Sequence, residues 1–284
     1  MSVWFITGAS RGLGAQITGE ALRRGHHVVA AARDPQAVTA AFPQAADNLL
    51  PVALDVTNER QAIDAAQAAV DRFGRIDVLV NNAGRGLLGA VEESSDAEVR
   101  AQYDTNVFGL LAVTRAVAPV MRRQRAGQIL NISSLFGISA LQGFGVYSST
   151  KFAVEGISEA LHKELAPLGV SVTAVELGLF RTDFVDSSSL HIATNRLDDY
   201  ADGPVGRERM IQTMAQVNHT QPGDPAKAAT AIVDVVESGR APRQLPLGPD
   251  TIQIIEAKIA SLQRDLAEWR QLAESTNHDE VVVS

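Results

Sequence analysis

Cysteine is absent from the 284 residues of this chain. Disulfide bridges and thiolate metal sites are therefore excluded. The six histidines show no paired ligand spacing such as HExxH, so no metal site is predicted from them either. The composition points to a metal-free catalyst or binding protein.

Long apolar runs and clusters of basic residues are missing as well. Without an uninterrupted apolar stretch of about 18 residues, no membrane-spanning helix is predicted. The net charge of −8 and the lack of a basic run argue against nucleic acid as a partner. An apolar strand pattern starts at residue 2 or 3, so we expect no signal peptide and a cytoplasmic location.

Apolar strand patterns alternate with helical ones through most of the chain. Strands are predicted at 2–6, 27–31, 49–53, 76–80, 127–132, 170–176 and 244–247, and helices at 13–24, 58–73, 95–124, 147–166, 205–219, 225–238 and 250–274. No linker rich in Pro, Gly or Ser interrupts the series. The alternation predicts one α/β domain over 1–284, a doubly wound parallel sheet of about seven strands with helices on both faces, which is the Rossmann fold. Ligands of such sheets bind beyond the carboxyl ends of the strands.

A glycine-rich turn follows the first predicted strand. The segment from Thr7 to Gly14 has the form TGxxxGxG and stands between a strand and a helix. Glycines allow a tight turn and a close approach of the backbone to a pyrophosphate, and the helix amino end offers it free N–H groups and a positive dipole. In this context the turn predicts a dinucleotide site.

Tyr147 and Lys151 lie four residues apart in a predicted helix, and Ser134 lies thirteen residues before the tyrosine. At a spacing of four, the two side chains project from one face of the helix. An ammonium group beside a phenol stabilises the phenolate, so we expect Lys151 to lower the pKa of Tyr147 and to prepare it for proton transfer near neutral pH. Ser134 ends a predicted strand and is expected to hydrogen-bond the same substrate oxygen that the tyrosine protonates.

Together with the NNAG segment from Asn81 to Gly84, these features resemble the short-chain dehydrogenase/reductase family over roughly residues 2 to 240. The resemblance implies a nicotinamide cofactor and a catalytic tetrad of Asn106, Ser134, Tyr147 and Lys151. In that tetrad Asn106 would position a water that relays protons through the lysine, and the lysine would bind the nicotinamide ribose. The residues predicted to contact the cofactor are Gly8, Ser10, Arg11, Gly12, Leu13, Gly14, Arg33, Asp55, Val56, Asn81, Ala83, Gly84, Tyr147, Lys151, Gly178 and Thr182.

The end of the second predicted strand bears on the choice of cofactor. An acid there would bind the ribose 2′-hydroxyl of NAD, whereas an arginine accommodates the 2′-phosphate of NADP. The family's acid position falls on Ala32, and Arg33 follows it; Asp34 before Pro35 is interpreted as a helix N-cap. Arg11 in the glycine turn is expected to add a second cation near the same phosphate. The predicted cofactor is therefore NADP(H).

Residues 179–219 correspond to the segment that relatives fold over the substrate. The predicted substrate contacts are Phe144, Phe180, Phe184 and Val185. These apolar side chains favour a hydrophobic small molecule, and packing within the segment is the alternative for each of them. The run from Ser187 to Ser189 is expected to make the segment a mobile lid.

Two positions depart from the family pattern. Leu177 stands where relatives carry the proline of a Pro-Gly pair, and Gln142 does so in the loop before the tyrosine. Loss of a proline frees φ and restores a backbone N–H, so we expect the loop around Gly178 to be less rigid. The departures affect loop geometry and substrate fit rather than the chemistry.

The predicted carboxyl-terminal helix, 250–274, carries an apolar stripe at spacings of three and four, formed by Ile252, Ile255, Ile259, Leu262, Leu266, Trp269 and Ala273. This stripe either packs against the rest of its own chain or contacts another subunit. The resemblance implies a homodimer or homotetramer that pairs through the helices around 95–124 and 147–166.

These features predict an oxidoreductase that interconverts a ketone or aldehyde and the corresponding alcohol by hydride transfer with NADP(H). Tyr147 would be its general acid and base. A non-catalytic NADP-binding regulator, and an epimerase or dehydratase on the same fold, are the alternatives. The complete tetrad argues against the regulator, because a sensor has no need of a proton donor.

Overall fold

A computed structural model describes residues 1–45, 47–201 and 206–278. The first residue of the predicted helix 205–219 and the tail after residue 278 lie outside these ranges. The strands are β1 (Val3–Thr7), β2 (His27–Ala32), β3 (Leu49–Ala53), β4 (Val78–Asn81), β5 (Gly86–Leu88), β6 (Gly127–Ile132), β7 (Val170–Leu177), β8 (Leu190–Ile192) and β9 (Gln244–Leu247). The helices are α1 (Gly12–Arg23), α2 (Pro35–Ala41), α3 (Glu59–Phe73), α4 (Asp96–Tyr103), α5 (Leu110–Gln124), α6 (Gly145–Leu165), α7 (Arg207–Val217), α8 (Pro225–Glu237) and α9 (Pro249–Glu274).

Seven of the strands form one sheet in the order β3-β2-β1-β4-β6-β7-β9. Every neighbouring pair in it is parallel. The chain therefore builds outward from β1 in one direction and from β4 in the other, which confirms the predicted doubly wound sheet. The switch between the two directions lies between β1 and β4, where ligands of such sheets bind.

The central strands are apolar at consecutive positions because both faces of the sheet are covered. In β1, Trp4 and Ile6 belong to the core on one face, whereas Val3 and Phe5 belong to the core on the other. Helices α1 and α8 cover the first face, and α3 and α5 cover the second. Among the residues that the structure describes, none of the helices is both long and apolar enough to cross a membrane.

Capping residues mark several helix ends. The Asp34 carboxylate accepts a hydrogen bond from the Gln36 N–H at 2.9 Å, with Pro35 in the first helical position, so the predicted N-cap is present and opens the short helix α2. At α3, the Asn58 side chain accepts from the Gln61 N–H, and Gly74 ends the helix in the left-handed conformation.

Three features of the fold differ from the sequence prediction. The helix expected over 95–124 is divided into α4 and α5 by a π-helical segment, Asp104–Gly109, which contains Asn106. Strands β5 and β8 were not predicted; they pair in parallel as a separate two-stranded sheet in which Gly86 lies beside Leu190. Helix α2 was not predicted beyond its cap.

Candidate active site

The predicted site residues follow the carboxyl ends of several parallel strands. The glycine turn follows β1, Arg33 follows β2, and Asp55 comes shortly after β3. The NNAG turn continues from β4, Ser134 follows β6, and Gly178 follows β7. Because the strands are parallel, these segments meet at one edge of the sheet, as the alternation of strands and helices predicted.

The glycine turn is packed directly against the NNAG turn. The Asn82 amide donates to the Thr7 carbonyl at 2.9 Å and to the Gly8 carbonyl at 3.2 Å. A Cβ atom at position 14 would lie 2.3 Å from the Gly8 oxygen and 2.5 Å from Asn82 Nδ2, so only glycine fits there. Gly8 itself has a φ of +65°, a conformation that side chains disfavour. Asn82, which was not among the predicted site residues, thus fixes the shape of the turn.

The amino end of α1 is open to an anion. No side chain caps this helix, and no acid occupies its first turn. The first N–H groups of a helix have no partner within it and carry partial positive charge. The turn formed by Ser10, Gly12 and Leu13 therefore suits a pyrophosphate, and its close backbone packing fits a dinucleotide cofactor.

The side chain of Asn81 does not reach this cleft. It is buried beneath the sheet edge, where its amide donates to Thr114 Oγ1 at 3.0 Å and to Asn131 Oδ1 at 2.9 Å. Asn131 in turn donates to Ser158 Oγ at 2.9 Å. This placement differs from the predicted cofactor contact: the Asn81 side chain joins β4, β6 and their covering helices. Its Nδ2 thus has the hydrogen-bond partners that a buried amide nitrogen needs.

Asp55 and Val56 lie just beyond β3. Asp55 Oδ1 accepts from the Thr57 N–H at 3.0 Å and from Thr57 Oγ1 at 2.7 Å, so its carboxylate shapes its own turn. Val56 is buried and leaves no room for a side chain at Gly109, since a Cβ there would lie 2.7 Å from Val56 Cγ2. The contacts of both residues with a cofactor stay predictions.

Two arginines without acidic partners lie near each other at the sheet edge that bears the predicted cofactor site. Arg33 is exposed after β2, and Arg85 follows the NNAG turn directly. Burial and the nearby charge of Arg33 lower the pKa of Arg85, so the two guanidinium groups lie near enough to repel each other. Within the described ranges, neither forms an ion pair with a carboxylate. Arg85 was not predicted from the sequence, and unpaired cations at one place suit a phosphate.

Arg11 has a different role from the one expected. Its guanidinium donates to Ser188 Oγ at 2.5 Å, to the Ser188 carbonyl at 3.2 Å and to Ser189 Oγ at 2.8 Å. The glycine turn is therefore tied to the serine run of the predicted lid. This differs from the expected position of Arg11 beside the 2′-phosphate.

Tyr147 and Lys151 occupy the first turns of α6, and both are buried. Lys151 Nζ donates to the Ile132 carbonyl at 2.8 Å and lies 5.7 Å from the centroid of the Tyr147 ring. Ser134 follows β6, and its Oγ accepts from the Phe136 N–H at 3.2 Å. The structure therefore brings the predicted serine, tyrosine and lysine together.

The pKa values of the two titratable groups follow from burial. Burial raises the pKa of Tyr147 above its ordinary value, and the neighbouring Ser134 hydroxyl offsets this only in part. Burial also lowers the pKa of Lys151 to about 8. The predicted net lowering of the Tyr147 pKa is therefore wrong for this geometry: loss of solvation dominates, and the Lys151 ammonium group, which donates to the Ile132 carbonyl, does not outweigh it. Near neutral pH, Tyr147 carries its proton and most Lys151 side chains are charged.

Asn106 connects the NNAG turn to the catalytic helix. Its Oδ1 accepts from the Arg85 N–H at 2.9 Å, and its Nδ2 donates to the Arg85 carbonyl at 3.0 Å and to Thr150 Oγ1 at 3.1 Å. Both amide hydrogens are thus used within the protein. The predicted role of Asn106 in positioning a water stays a prediction.

An apolar cluster surrounds the tyrosine. Its buried members are Leu88, Phe144, Tyr147 and Leu190, and Phe136, Phe184, Val185, Met210, Ile211 and Met214 pack against them. The Tyr147 ring centroid lies 5.4 Å from that of Phe184 and 6.1 Å from that of Phe136. Three of the predicted substrate residues belong to this cluster, and Phe136 and Met210 are additions that the sequence did not single out.

Phe180 does not belong to this apolar cluster. It packs against the core on the face covered by α1 and α8, and its backbone bridges to Gly223. The expected substrate contact of Phe180 is therefore not found. Phe180 lies three residues beyond the end of β7. A ring in such a loop can turn to either face of the sheet, and the sequence does not indicate which.

The loop after β7 is held by a carboxylate. The Leu179 N–H donates to Asp250 Oδ2 at 2.7 Å, and the Gly178 N–H donates to the Leu247 carbonyl at 2.9 Å. Asp250 lies in the first turn of α9 and was not predicted to have a role. Further along, Thr182 lies against the glycine turn: a Cβ added at Gly12 would be 3.7 Å from the Cβ of Thr182. The loop is thus held on both sides despite the missing proline at Leu177.

Two further titratable groups, Glu155 and Glu176, lie close to each other near Lys151. Glu176 is fully buried near the end of β7, and burial together with the charge of Glu155 raises its pKa to about 8. Burial raises the pKa of Glu155 as well, against the opposing effects of Ser133, Gln244 and Lys151. In the part of the chain that is described, no arginine or lysine forms an ion pair with Glu176.

Comparison with known proteins gives the same picture of the fold. The model of the short chain dehydrogenase family matches residues 2–192. The chain is 35% identical over 272 residues to the oxidoreductase BOA17 of Botryotinia fuckeliana, covering 95% of this chain and 97% of that one. It is 36% identical over 257 residues to the 3-ketodihydrosphingosine reductase of Bacteroides thetaiotaomicron, covering 90% and 91%.

Solved structures resemble the chain over most of its length. A short-chain dehydrogenase from Streptomyces avermitilis has a TM-score of 0.86 and 37% identity, covering 98% of this chain and 100% of that one. A short chain dehydrogenase from Burkholderia cenocepacia in complex with NADP has a TM-score of 0.72 and 27% identity, covering 94% and 96%. A 3-ketoacyl-(acyl-carrier-protein) reductase from Brucella melitensis complexed with NADH has a TM-score of 0.71 and 26% identity, covering 87% and 96%.

Proposed function

The chain belongs to the short-chain dehydrogenase family, and we propose that it is an NADP(H)-dependent oxidoreductase that reduces the carbonyl group of a hydrophobic small molecule. The observation that carries the proposal is the meeting of Ser134, Tyr147 and Lys151 beside an apolar cluster, at the sheet edge that also bears the glycine turn. A proton donor, a partner for the carbonyl oxygen and a cofactor cradle are thus within one cleft.

The cofactor is proposed to be NADP(H) rather than NAD(H). Ala32 stands where an acid would select NAD, and the unpaired Arg33 and Arg85 provide positive charge for a 2′-phosphate. Solved relatives have been found with either cofactor, so family membership does not decide the matter. When bound, the nicotinamide supplies or accepts the hydride.

The side chains have separate tasks in the reducing direction. Tyr147 donates its phenolic proton to the carbonyl oxygen. Because the pKa of Tyr147 is raised, the phenol still carries this proton at neutral pH. Ser134 hydrogen-bonds the same oxygen and orients it. The charged Lys151 stabilises the phenolate that is left and, as in relatives, would hold the ribose of the nicotinamide.

The substrate is proposed to be a ketone or aldehyde with an aliphatic or aromatic body. The cluster around Tyr147 is formed by rings, branched aliphatic side chains and methionines, which favour apolar groups. A relative named 3-ketodihydrosphingosine reductase, after a keto compound, is consistent with a carbonyl substrate. A homo-oligomer and a cytoplasmic location, both expected from the sequence, stay predictions.

The test is the decay of NADPH absorbance, with NADH in parallel, over a panel of aryl ketones, long-chain ketones, ketoesters, steroids and aldehydes. We expect turnover with NADPH, and we expect Tyr147→Phe to remove nearly all of it while NADPH still binds. Tyr103→Phe is the matched control, because it removes the same hydroxyl group from a tyrosine that hydrogen-bonds Ser149 at 2.9 Å and has no assigned part in the reaction.

Tight NADPH binding without turnover on any compound would overturn the proposal in favour of a regulator. Product formation without net consumption of cofactor would instead indicate an epimerase or dehydratase.

A further inference from the structure

The outer half of α9 stands clear of the rest of the chain. The helix is 26 residues long and continues without a break, and every residue from Leu262 to Glu274 is exposed. Packing against the chain's own core, one of the two roles expected for the apolar stripe, therefore accounts only for the first turns of α9. Ile252, Ile259, Leu262, Leu266 and Trp269 each expose between 49% and 57% of their surface.

The spacing of the stripe is that of a helix pair. Its members alternate at intervals of three and four over three heptads: Ile252, Ile255, Ile259, Leu262, Leu266, Trp269 and Ala273. A repeat of 3.5 residues keeps a narrow seam facing one partner helix, whereas a helix packed on a globular core presents a wider stripe. We refer to these seven residues as the α9 seam.

Charges beside the seam indicate which helix is the partner. Lys258 and Asp265 occupy equivalent positions on one flank, one heptad apart. Neither takes part in an ion pair within the described residues, whereas Arg270 on the other flank already pairs with Glu274 at 3.5 Å. If two α9 helices lie antiparallel with Ile259 of one copy opposite Leu262 of the other, Lys258 of each copy faces Asp265 of the other. The two-fold symmetry makes this pair twice.

We propose that α9 is a self-association surface, in which the seams of two copies of this chain pair antiparallel. In this register Trp269 of one copy lies opposite Ile252 of the other, and Leu266 lies opposite Ile255. Every large apolar residue of the seam thus gains a partner, and the two unpaired charges on the flank are matched. The inference goes beyond the proposed function, since it requires no cofactor or substrate.

The first test is the molar mass of the full-length protein by analytical ultracentrifugation. We expect Leu262→Glu combined with Leu266→Glu to halve the mass at micromolar concentration and to raise the dissociation constant at least about tenfold. The reason is that two leucines buried between the paired helices are replaced by charges. Ala257→Glu combined with Gln271→Glu is the matched control, since it adds the same charge on the opposite side of α9. Equal masses for both variants and the wild type would overturn the proposal.

The second test is a charge swap. Lys258→Asp alone and Asp265→Lys alone should each weaken association, because each places like charges opposite one another, and the two changes together should restore it. These residues are seven apart on one helix and too distant to interact within a chain. In a parallel pair Asp265 would instead face Arg270, and the double variant would put two cations together. Failure of the double variant to restore association would therefore overturn the antiparallel arrangement. Melting temperature and NADPH oxidation serve as checks that each variant is folded.

Discussion

The Asp250 carboxylate accepts a hydrogen bond from the Leu179 N–H at 2.7 Å and thereby ties the first turn of α9 to the loop after β7. The carboxylate lies so close to the backbone that a Cβ at Gly178 would be 2.1 Å from its Oδ1. The family resemblance implies a proline at the position of Leu177, where its ring would restrict φ in the same loop. Here the restriction comes from the charged hydrogen bond.

Removal of this hydrogen bond is expected to affect cofactor binding more than chemistry. Asp250→Ala should raise KM for NADPH about tenfold, because a hydrogen bond to a charged group contributes about 1.5–3 kcal/mol. Asp250→Asn retains an acceptor oxygen and should recover most of the loss. Steady-state kinetics with saturating substrate make the comparison, with the exposed Glu268→Ala on the same helix as control. An unchanged KM in Asp250→Ala would show that the loop does not need this contact.

The pH dependence of reduction should report Lys151. Its pKa of about 8 means that the ammonium charge is present below that pH and is lost above it. Without the charge, the phenolate left on Tyr147 after proton donation is less stable. We expect kcat/KM for carbonyl reduction to fall as the pH rises through about 8. In Lys151→Arg the decrease should occur at higher pH, and kcat/KM should be lower than in the wild type. A profile that stays level to pH 10 in the wild type would contradict this assignment.

Cofactor preference should depend on Arg33 and Arg85 together. Arg33→Ala and Arg85→Ala are each expected to weaken NADPH binding by about tenfold or more, as loss of a charged hydrogen bond does, and to leave NADH binding nearly unchanged. Titration of intrinsic fluorescence with each cofactor measures both effects. Arg60→Ala on α3 is a suitable control, because Arg60 is exposed and pairs with Asp64 at 3.0 Å. Equal losses for the two cofactors would mean that these arginines do not recognise the 2′-phosphate.

Protein stability should fall with rising pH because of Glu176. Its pKa is raised from 4.5 to about 8 in the folded protein, so the folded form keeps a proton that the unfolded chain has lost. Below pH 4.5 both forms are protonated and there is no penalty; between 4.5 and 8 the free energy of unfolding falls, by up to several kcal/mol, and above 8 it is constant. Glu176→Gln should therefore raise the melting temperature at pH 8.5 and change it much less at pH 5.

The matched control is Glu159→Gln, an exposed position on the same helix as Lys151. It should show no such pH-dependent gain. A melting temperature for Glu176→Gln that differs from the wild type equally at both pH values would indicate a packing effect rather than a titration.

The order of elements and the position of the cleft could be predicted from the sequence. Apolar runs such as the one from Val3 to Thr7 are short, rich in aromatic and β-branched residues and followed by a glycine turn, which is typical of buried parallel strands. Glycine and proline at element ends, as at Gly74 and Pro35, then mark the boundaries. Because parallel strands all end at one edge, the motifs that follow them had to meet there, and the meeting of Ser134 with Tyr147 is a consequence.

Features that depend on contacts between residues far apart in the sequence could not be predicted. Strands β5 and β8 are three residues each and stabilise one another across about a hundred positions, so neither has a pattern of its own. The inward direction of Asn81 depends on Thr114 and Asn131 being in place to receive it. The raised pKa of Tyr147 has the same origin: local spacing shows the lysine nearby but not the extent of burial.

Helix α9 joins two places that are otherwise far apart. Its first turn holds the loop that follows β7, and the α9 seam continues along the helix to Ala273, about 35 Å from Asp250 at the rise of an α-helix. If pairing of the seam steadies the helix, the enzyme's affinity for its coenzyme depends on its own concentration. By thermodynamic reciprocity, coenzyme would then promote assembly by the same factor by which assembly promotes coenzyme binding. Helix α9 would thus couple self-association to coenzyme binding, although the proposed catalytic groups all lie within a single subunit.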